Sequence, residues 1–259
     1  MMNSKTRNSL VVFLALTFAI SSIFYRWSFS GAPLNRVVPF LMWTPGFCAL
    51  ITQLLFHRTL AGLGWEPGPW RYLCGAALLP IGYGLAVYVP VWFLGIGQFD
   101  GSVLGRALPV LPFALAENLV FALGEEIGWR GFLAPTFYRV RGFAWAGAGT
   151  GIIWGFWHVP LVVGGGYDAG TPFWYGVSCF LISATAMSVS LAWLRLRSGS
   201  LWTATIYHGV HNLAIQAIFD RSTIDTGWTE WITTEFGLGL VIATVAIGGY
   251  FWNRRRELS

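Results

Sequence analysis

Stretches of roughly 20 apolar residues recur along the chain, and each is long enough to cross a bilayer as a helix. They run approximately over 9–25, 37–56, 72–95, 107–133, 143–165, 172–194, 199–219 and 236–252. The sequence therefore predicts an all-α fold, a polytopic membrane bundle of about eight transmembrane helices. Composition agrees. Hydrophobic residues make up 55% of the 259 and charged residues only 10%, where a soluble domain carries about a quarter charged.

The first run follows Lys5 and Arg7, and Ala19-Ile20-Ser21 is a weak small-x-small site of the signal-peptide kind. Because the apolar run continues through Phe24 and Tyr25, it reads as an uncleaved first helix. The connection from His57 to Arg71 contains Gly64-Trp65-Glu66-Pro67 and reads as an interfacial loop. Cys48, Cys74 and Cys179 lie inside apolar segments without zinc or disulfide spacing, and are expected to be packing residues. Three stretches organise the chain: 1–106 with the first helices and that loop, 107–219 as the core, and 220–259 with an outer loop, the last helix and a basic tail.

A net charge of +5 can signal nucleic acid, but here the basic residues stand in pairs between apolar runs, as membrane topology requires. No nucleic-acid partner is expected. With the N-terminus inside, Lys5, Arg7, Arg58, Arg71, Arg139, Arg141, Arg195, Arg197 and Arg254 to Arg256 fall on the cytoplasmic side. Only Arg26, Arg36, Arg106 and Arg221 fall outside. The positive-inside rule then places both termini in the cytoplasm. The last outside loop also gathers Asp220, Asp225, Glu230 and Glu235.

Among the ionisable residues that interrupt the apolar runs are Glu125, Glu126, Arg130, His158 and His208. Charges at bilayer depth cost several kcal/mol, so such residues face one another or a wet cavity. At 1.5 Å of rise per residue, Glu125 lies roughly 18 Å from a cytoplasmic exit near Phe137, His158 about 22 Å from Phe143, and His208 about 14 Å from Gly199. Three helices thus bring polar residues to a similar layer, which predicts one shared site.

Glu126 and Arg130 are four apart, on one helix face, and are expected to pair. Glu125 points about 100° away and is free to meet another partner as a base. A buried triad that only pins helices together is the alternative. His158, in Trp154-Gly155-Phe156-Trp157-His158, is either a packing histidine among aromatics or a member of the same site. His208 and Asn212 share a face, with His211 on a neighbouring one; together they can donate two hydrogen bonds to an oxyanion. Two carboxylates and two histidines are equally good zinc or manganese ligands, although no His-Glu-x-x-His pair is present.

These residues resemble a known family, the intramembrane CAAX endopeptidases with their bacterial relatives, the CAAX proteases and bacteriocin-processing enzymes. The motifs that carry the likeness are Glu125-Glu126-Ile127-Gly128-Trp129-Arg130, Trp154-Gly155-Phe156-Trp157-His158 and His208-Gly209-Val210-His211-Asn212. The continuation Gly131-Phe132-Leu133 looks like the bacterial branch. Trp154 stands where the family usually has Phe, and a packing adjustment is expected there. The resemblance covers roughly 107–219. It implies a peptide hydrolase in which Glu125 and His158 polarise a water, His208 and Asn212 hold the oxyanion, and Glu126 and Arg130 support them, with no resident metal or other cofactor. The expected partner is a membrane-associated peptide or protein in a bacterial or archaeal cell membrane. Access is expected from the cytoplasmic side, where the fourth span leaves the membrane soon after its motif. Two other classes compete: a non-catalytic peptide-binding or immunity protein, and a proton-coupled transporter. The transporter predicts an inverted repeat, and none is visible.

Overall fold

The computed structural model describes residues 3–164 and 166–258. Ten α-helices follow one another among them: α1 (Ser4–Phe29), α2 (Leu34–His57), α3 (Trp70–Phe93), α4 (Ser102–Ala107), α5 (Leu111–Glu126), α6 (Ala134–Arg141), α7 (Thr150–Val163), α8 (Phe173–Ser198), α9 (Leu201–His211) and α10 (Leu238–Asn253). Three π-helical stretches join them: Ile127–Leu133 between α5 and α6, Trp145–Gly149 before α7, and Asn212–Phe219 after α9. Two of the three overlap the polar motifs. Such widened turns are frequent at functional sites because they redirect side chains.

Each of the eight expected spans is helical over most of its described residues; position 165, at the end of the fifth, lies outside them. Six stretches are both long and apolar enough to cross a membrane: Ser4–Phe29, Leu34–His57, Trp70–Phe93, Ser102–Arg141, Trp145–Val163 and Phe173–Ser198. The other two are α9 with its π-helical continuation, whose run is broken by His208, His211 and Asn212, and α10, of 16 residues. The chain is a multi-pass, all-α membrane bundle. Among the described residues the one sheet is a two-stranded antiparallel ribbon, β1 (Gly97–Phe99) with β2 (Thr223–Asp225), in which Gln98 faces Ile224.

Side-chain bonds sort the connections into two ends. At the terminal face, Trp193 Nε1 donates to the Arg254 carbonyl, Tyr138 to the Leu258 carbonyl, Arg195 Nη2 to Gly62, and the Leu201 amide to Gly64. At the far face, Thr229 donates to the Ile96 carbonyl, the Asp100 amide to Ser222, and Tyr175 to the Trp231 carbonyl. Helix α1 belongs to the bundle: Trp157 Nε1 donates to Ser21 at 2.8 Å, and Tyr25 donates to the Trp157 carbonyl.

Lipid tails are as apolar as leucine, so helices in a bilayer associate through close packing and hydrogen bonds, with small residues at the crossings. Glycines supply those crossings here. A Cβ on Gly124 would stand 2.9 Å from the Met42 carbonyl oxygen, and one on Gly128 would stand 2.6 Å from Pro45 Cβ, so α2 lies directly on the Glu125-Glu126 segment. A Cβ on Gly209 would meet Leu119 at 2.9 Å, which brings α9 against α5 beside the same segment. Cys48 and Cys179 are buried, but Cys74 is exposed on α3. The expectation that all three pack inside fails for Cys74 because it lies on the outward side of its helix.

Candidate active site

Glu126 and Arg130 pair as their spacing predicts, with Arg130 Nη1 donating to Glu126 Oε1 at 2.8 Å and both side chains fully buried. The same oxygen meets His208 Nδ1 at 2.9 Å. The Arg130 guanidinium lies 4.3 Å over the Trp154 ring, where it gains a cation–π contact in a dry setting. Glu126 thus ties together two of the three motif helices. It does not itself line the cavity described below.

Glu125 is aimed elsewhere. Its Oε2 accepts from the indole N–H of Trp154 at 2.7 Å, and no bond occupies Oε1 among the described residues. The packing adjustment expected at Trp154 is therefore corrected: the residue is a hydrogen-bond donor to the carboxylate, a role phenylalanine cannot fill. One turn on, His158 Nδ1 lies 2.9 Å from the Trp154 carbonyl. That oxygen can only accept, so the Nδ1 atom carries the proton and Nε2 of a neutral His158 keeps its lone pair. Trp157 and Phe180 rings edge the imidazole at 4.7 and 5.3 Å between centroids.

Glu125, His158, His208 and Asn212 all line one cavity of about 270 Å³, whose remaining wall is largely apolar. Three helices therefore deliver these side chains to one place, together with Trp154. No direct bond joins Glu125 to His158 among the described residues; they face the same space. The cavity also draws on α2, through Leu41 and Met42, and on the loop before α10, through Glu235. All three sequence stretches contribute to it.

A second polar cluster adjoins the first. His211 Nδ1 meets the Tyr83 hydroxyl, and its Nε2 lies 2.6 Å from Glu235 Oε1. Glu235 Oε2 accepts from Gln216 Nε2 at 3.0 Å and from Tyr167. Burial, together with the nearby Glu125 charge, pushes the Glu235 carboxyl up to about 8. Sequence reasoning noted Glu235 only as an outer-loop carboxylate and did not single out Tyr83, Tyr167 or Gln216. One signal was available: His208, Asn212 and Gln216 recur at four-residue spacing, a polar stripe on one helix face. Glu235 has no such signal, because its loop folds back over the bundle.

Among the described residues, no group of three or more His, Cys, Asp or Glu converges tightly enough to hold a metal ion. Glu126 is engaged by Arg130 and His208, and His211 by Tyr83 and Glu235, which leaves the donors of the cavity spread around its wall.

At the end where the fourth span leaves the bundle, buried side chains close over the cavity. Below Glu125, Trp129, Arg130, Leu133 and Ala134 are wholly buried, and the loop after α2 plugs that end with Leu63, itself 1% exposed. The cavity reaches instead towards the far face, where Leu34, Gly166, Tyr167 and Glu235 line it.

Comparison with known proteins places a family on this geometry. Residues 107–214 match the model of the Rce1-like family, described as type II CAAX prenyl endopeptidase Rce1-like. This segment is similar to that family. The Rce1-like segment contains all three motifs and the four cavity side chains named above. Over 140 residues the chain is 33% identical to CAAX prenyl protease 2 of Methanococcus maripaludis, which covers 50% of this chain and 50% of that relative. The chain thus spans about half the length of the curated relative it matches. Tyr167 lies within the Rce1-like segment, whereas its partners Gln216 and Glu235 lie beyond the matched end.

Proposed function

We propose that the protein is an intramembrane endopeptidase that hydrolyses a peptide bond of a membrane-associated protein or peptide, with Glu125 and His158 activating the water. The observation that carries this reading is the convergence of Glu125, His158, His208 and Asn212 on one cavity inside an Rce1-like segment. The name of the archaeal relative supports the same class of activity.

In this mechanism Trp154 holds Oε2 of Glu125, leaving Oε1 to take a proton from water. His158 accepts a second hydrogen bond from that water at Nε2. The hydroxide so formed attacks the carbonyl carbon, and the developing oxyanion is met by donors from α9 and its continuation, the Asn212 amide and His208. His208 directs Nδ1 at Glu126, so its cavity-side donor is Nε2–H, present when the ring carries both protons. Glu125 then returns its proton to the leaving amine. A helical substrate must unwind to present its carbonyl, because helical peptide groups are already bonded to one another. No step calls for a metal, and metal independence is part of the proposal.

The test is cleavage of a fluorogenic peptide library by the purified protein in detergent, with Glu125→Ala beside the wild type. Cleavage by the wild type alone supports the reading. Equal rates for the two, or none for either, would favour a peptide-binding or immunity protein or a transporter.

A further inference from the structure

His208 and His211 stand near the end of α9, and their rings are held from different parts of the chain. His208 Nδ1 meets Glu126 Oε1 at 2.9 Å, a bond made inside the Rce1-like segment. His211 is held at both nitrogens from outside that segment. The Tyr83 hydroxyl of α3 meets Nδ1, and Glu235 Oε1, from the loop before α10, meets Nε2 at 2.6 Å. Glu235 is fixed in turn, because Gln216 and Tyr167 donate to its other oxygen. With a bond at each nitrogen, the His211 ring cannot turn without losing one of them.

What this clamp holds is the backbone under Asn212. Helix α9 ends at His211, and the next residue opens the π-helical stretch Asn212–Phe219. Such turns are rare, and a stretch of this length needs support from its neighbours. Helix α3 supplies it. A Cβ on Gly84, beside Tyr83, would run into the Phe219 ring and approach Ile215 Cδ1 to 3.0 Å. The Asn212 side chain, by contrast, has no hydrogen bond of its own among the described residues, although it lines the cavity. Its amide is presented there only by the backbone that carries it.

We propose that Tyr83 and Glu235 are positioning residues for oxyanion stabilisation: by holding both nitrogens of His211 they fix the turn from which Asn212 presents its amide to the reacting carbonyl. The role of Asn212 rests on the peptidase reading; the clamp does not. The Rce1-like segment supplies the donors, and the flanking parts of the chain set the direction of one of them. A misplacement of about 1 Å costs on the order of a hundredfold in rate. An oxyanion donor acts on the transition state and not on the bound substrate, so loss of the clamp falls on kcat and spares KM.

The test uses the full-length protein in detergent and a fluorogenic peptide that the wild type cleaves. Glu235→Ala should lower kcat about tenfold to a hundredfold with KM unchanged. Tyr83→Phe removes one hydroxyl, keeps the ring, and should act in the same direction by a smaller factor. Glu235→Gln should recover most of the rate, because an amide offers an oxygen or a nitrogen to either tautomer of His211. A Glu235→Gln as slow as Glu235→Ala would make charge the active property and overturn the proposal. In an Asn212→Ala background, Glu235→Ala should cost less than about twofold more, since coupled residues are not additive. Losses that multiply would show that the two act independently and overturn it, as would a wild-type kcat in both Glu235→Ala and Tyr83→Phe. If Glu235→Ala does not fold, Tyr83→Phe carries the same comparison.

Isotope labelling of the asparagine side-chain amides reads the clamp without activity. The magnetic-resonance signal that disappears in Asn212→Ala should shift in Glu235→Ala and Tyr83→Phe and return in Glu235→Gln. An unmoved signal overturns the proposal. Should the wild type cleave nothing, the peptidase reading falls, and this signal alone decides whether Tyr83 and Glu235 hold Asn212.

Discussion

The indole N–H of Trp154 donates to Glu125 Oε2 at 2.7 Å, and the face of the same ring carries the Arg130 guanidinium at 4.3 Å. One side chain thus touches two of the three charged residues of the Glu-Glu-x-x-x-Arg motif while belonging to a different helix. It fixes which carboxylate oxygen is engaged and which is open to the cavity.

Trp154→Phe should therefore keep the fold and lose part of the rate. Phenylalanine retains a ring over Arg130 but offers no donor to Glu125. A hydrogen bond to a charged group contributes about 1.5–3 kcal/mol, so kcat should fall on the order of tenfold to a hundredfold, with a small drop in melting temperature. A wild-type kcat would mean that the bond does not orient the base.

Glu125→Gln, His158→Ala and His208→Ala should each abolish proteolysis and leave a monodisperse, folded protein in detergent. Glutamine preserves the Trp154 bond but cannot take a proton from water. Residual turnover of Glu125→Gln near the wild-type rate, in protein free of contaminating protease, would rule out a glutamate base.

Arg130→Ala should cost stability as well as activity. It strands the Glu126 carboxylate in a fully buried position, and breaking a buried pair by removing one partner costs about 3–5 kcal/mol. Glu126→Gln combined with Arg130→Met should fold better than Arg130→Ala alone. Neither variant should regain activity, because Glu126 also holds His208 Nδ1. Thermal unfolding in detergent separates the two effects.

Gly128→Ala should loosen the α2 crossing, since its Cβ would fall 2.6 Å from that of Pro45. Overpacking of this kind costs roughly 1–3 kcal/mol, and the shift reaches Glu125 three residues away. Gly75→Ala on α3 meets nothing within 4 Å and should be neutral. Equal melting temperatures for the two variants would show that the close crossing is not needed.

Active protein should carry no stoichiometric metal and should keep its rate in chelator. Catalytic zinc ordinarily takes three protein ligands and a water, and here His211 and Glu126 are committed to other bonds. Elemental analysis decides: near-stoichiometric zinc or manganese, with activity lost to chelator and restored by that ion, would overturn the expectation.

Much of this protein was legible in the sequence because bilayer chemistry is severe. An apolar run of sufficient length has one stable form in lipid, a helix, so the spans could be read from composition alone. The Glu126–Arg130 pair was legible too, because helical spacing places both on one face whatever surrounds them. The convergence of Glu125, His158 and His208 followed from their similar depth. Only the tertiary structure decided the rest. Whether Trp154 packs or donates depends on where Glu125 sits across a helix interface, which no local pattern encodes. Glu235 entered the cavity wall because a far-face loop folds back to meet His211, a contact made across 24 residues of chain. Helix length says how far Glu125 lies from each end of its span, but the packing of Leu63, Trp129 and Leu133 determines which end is sealed.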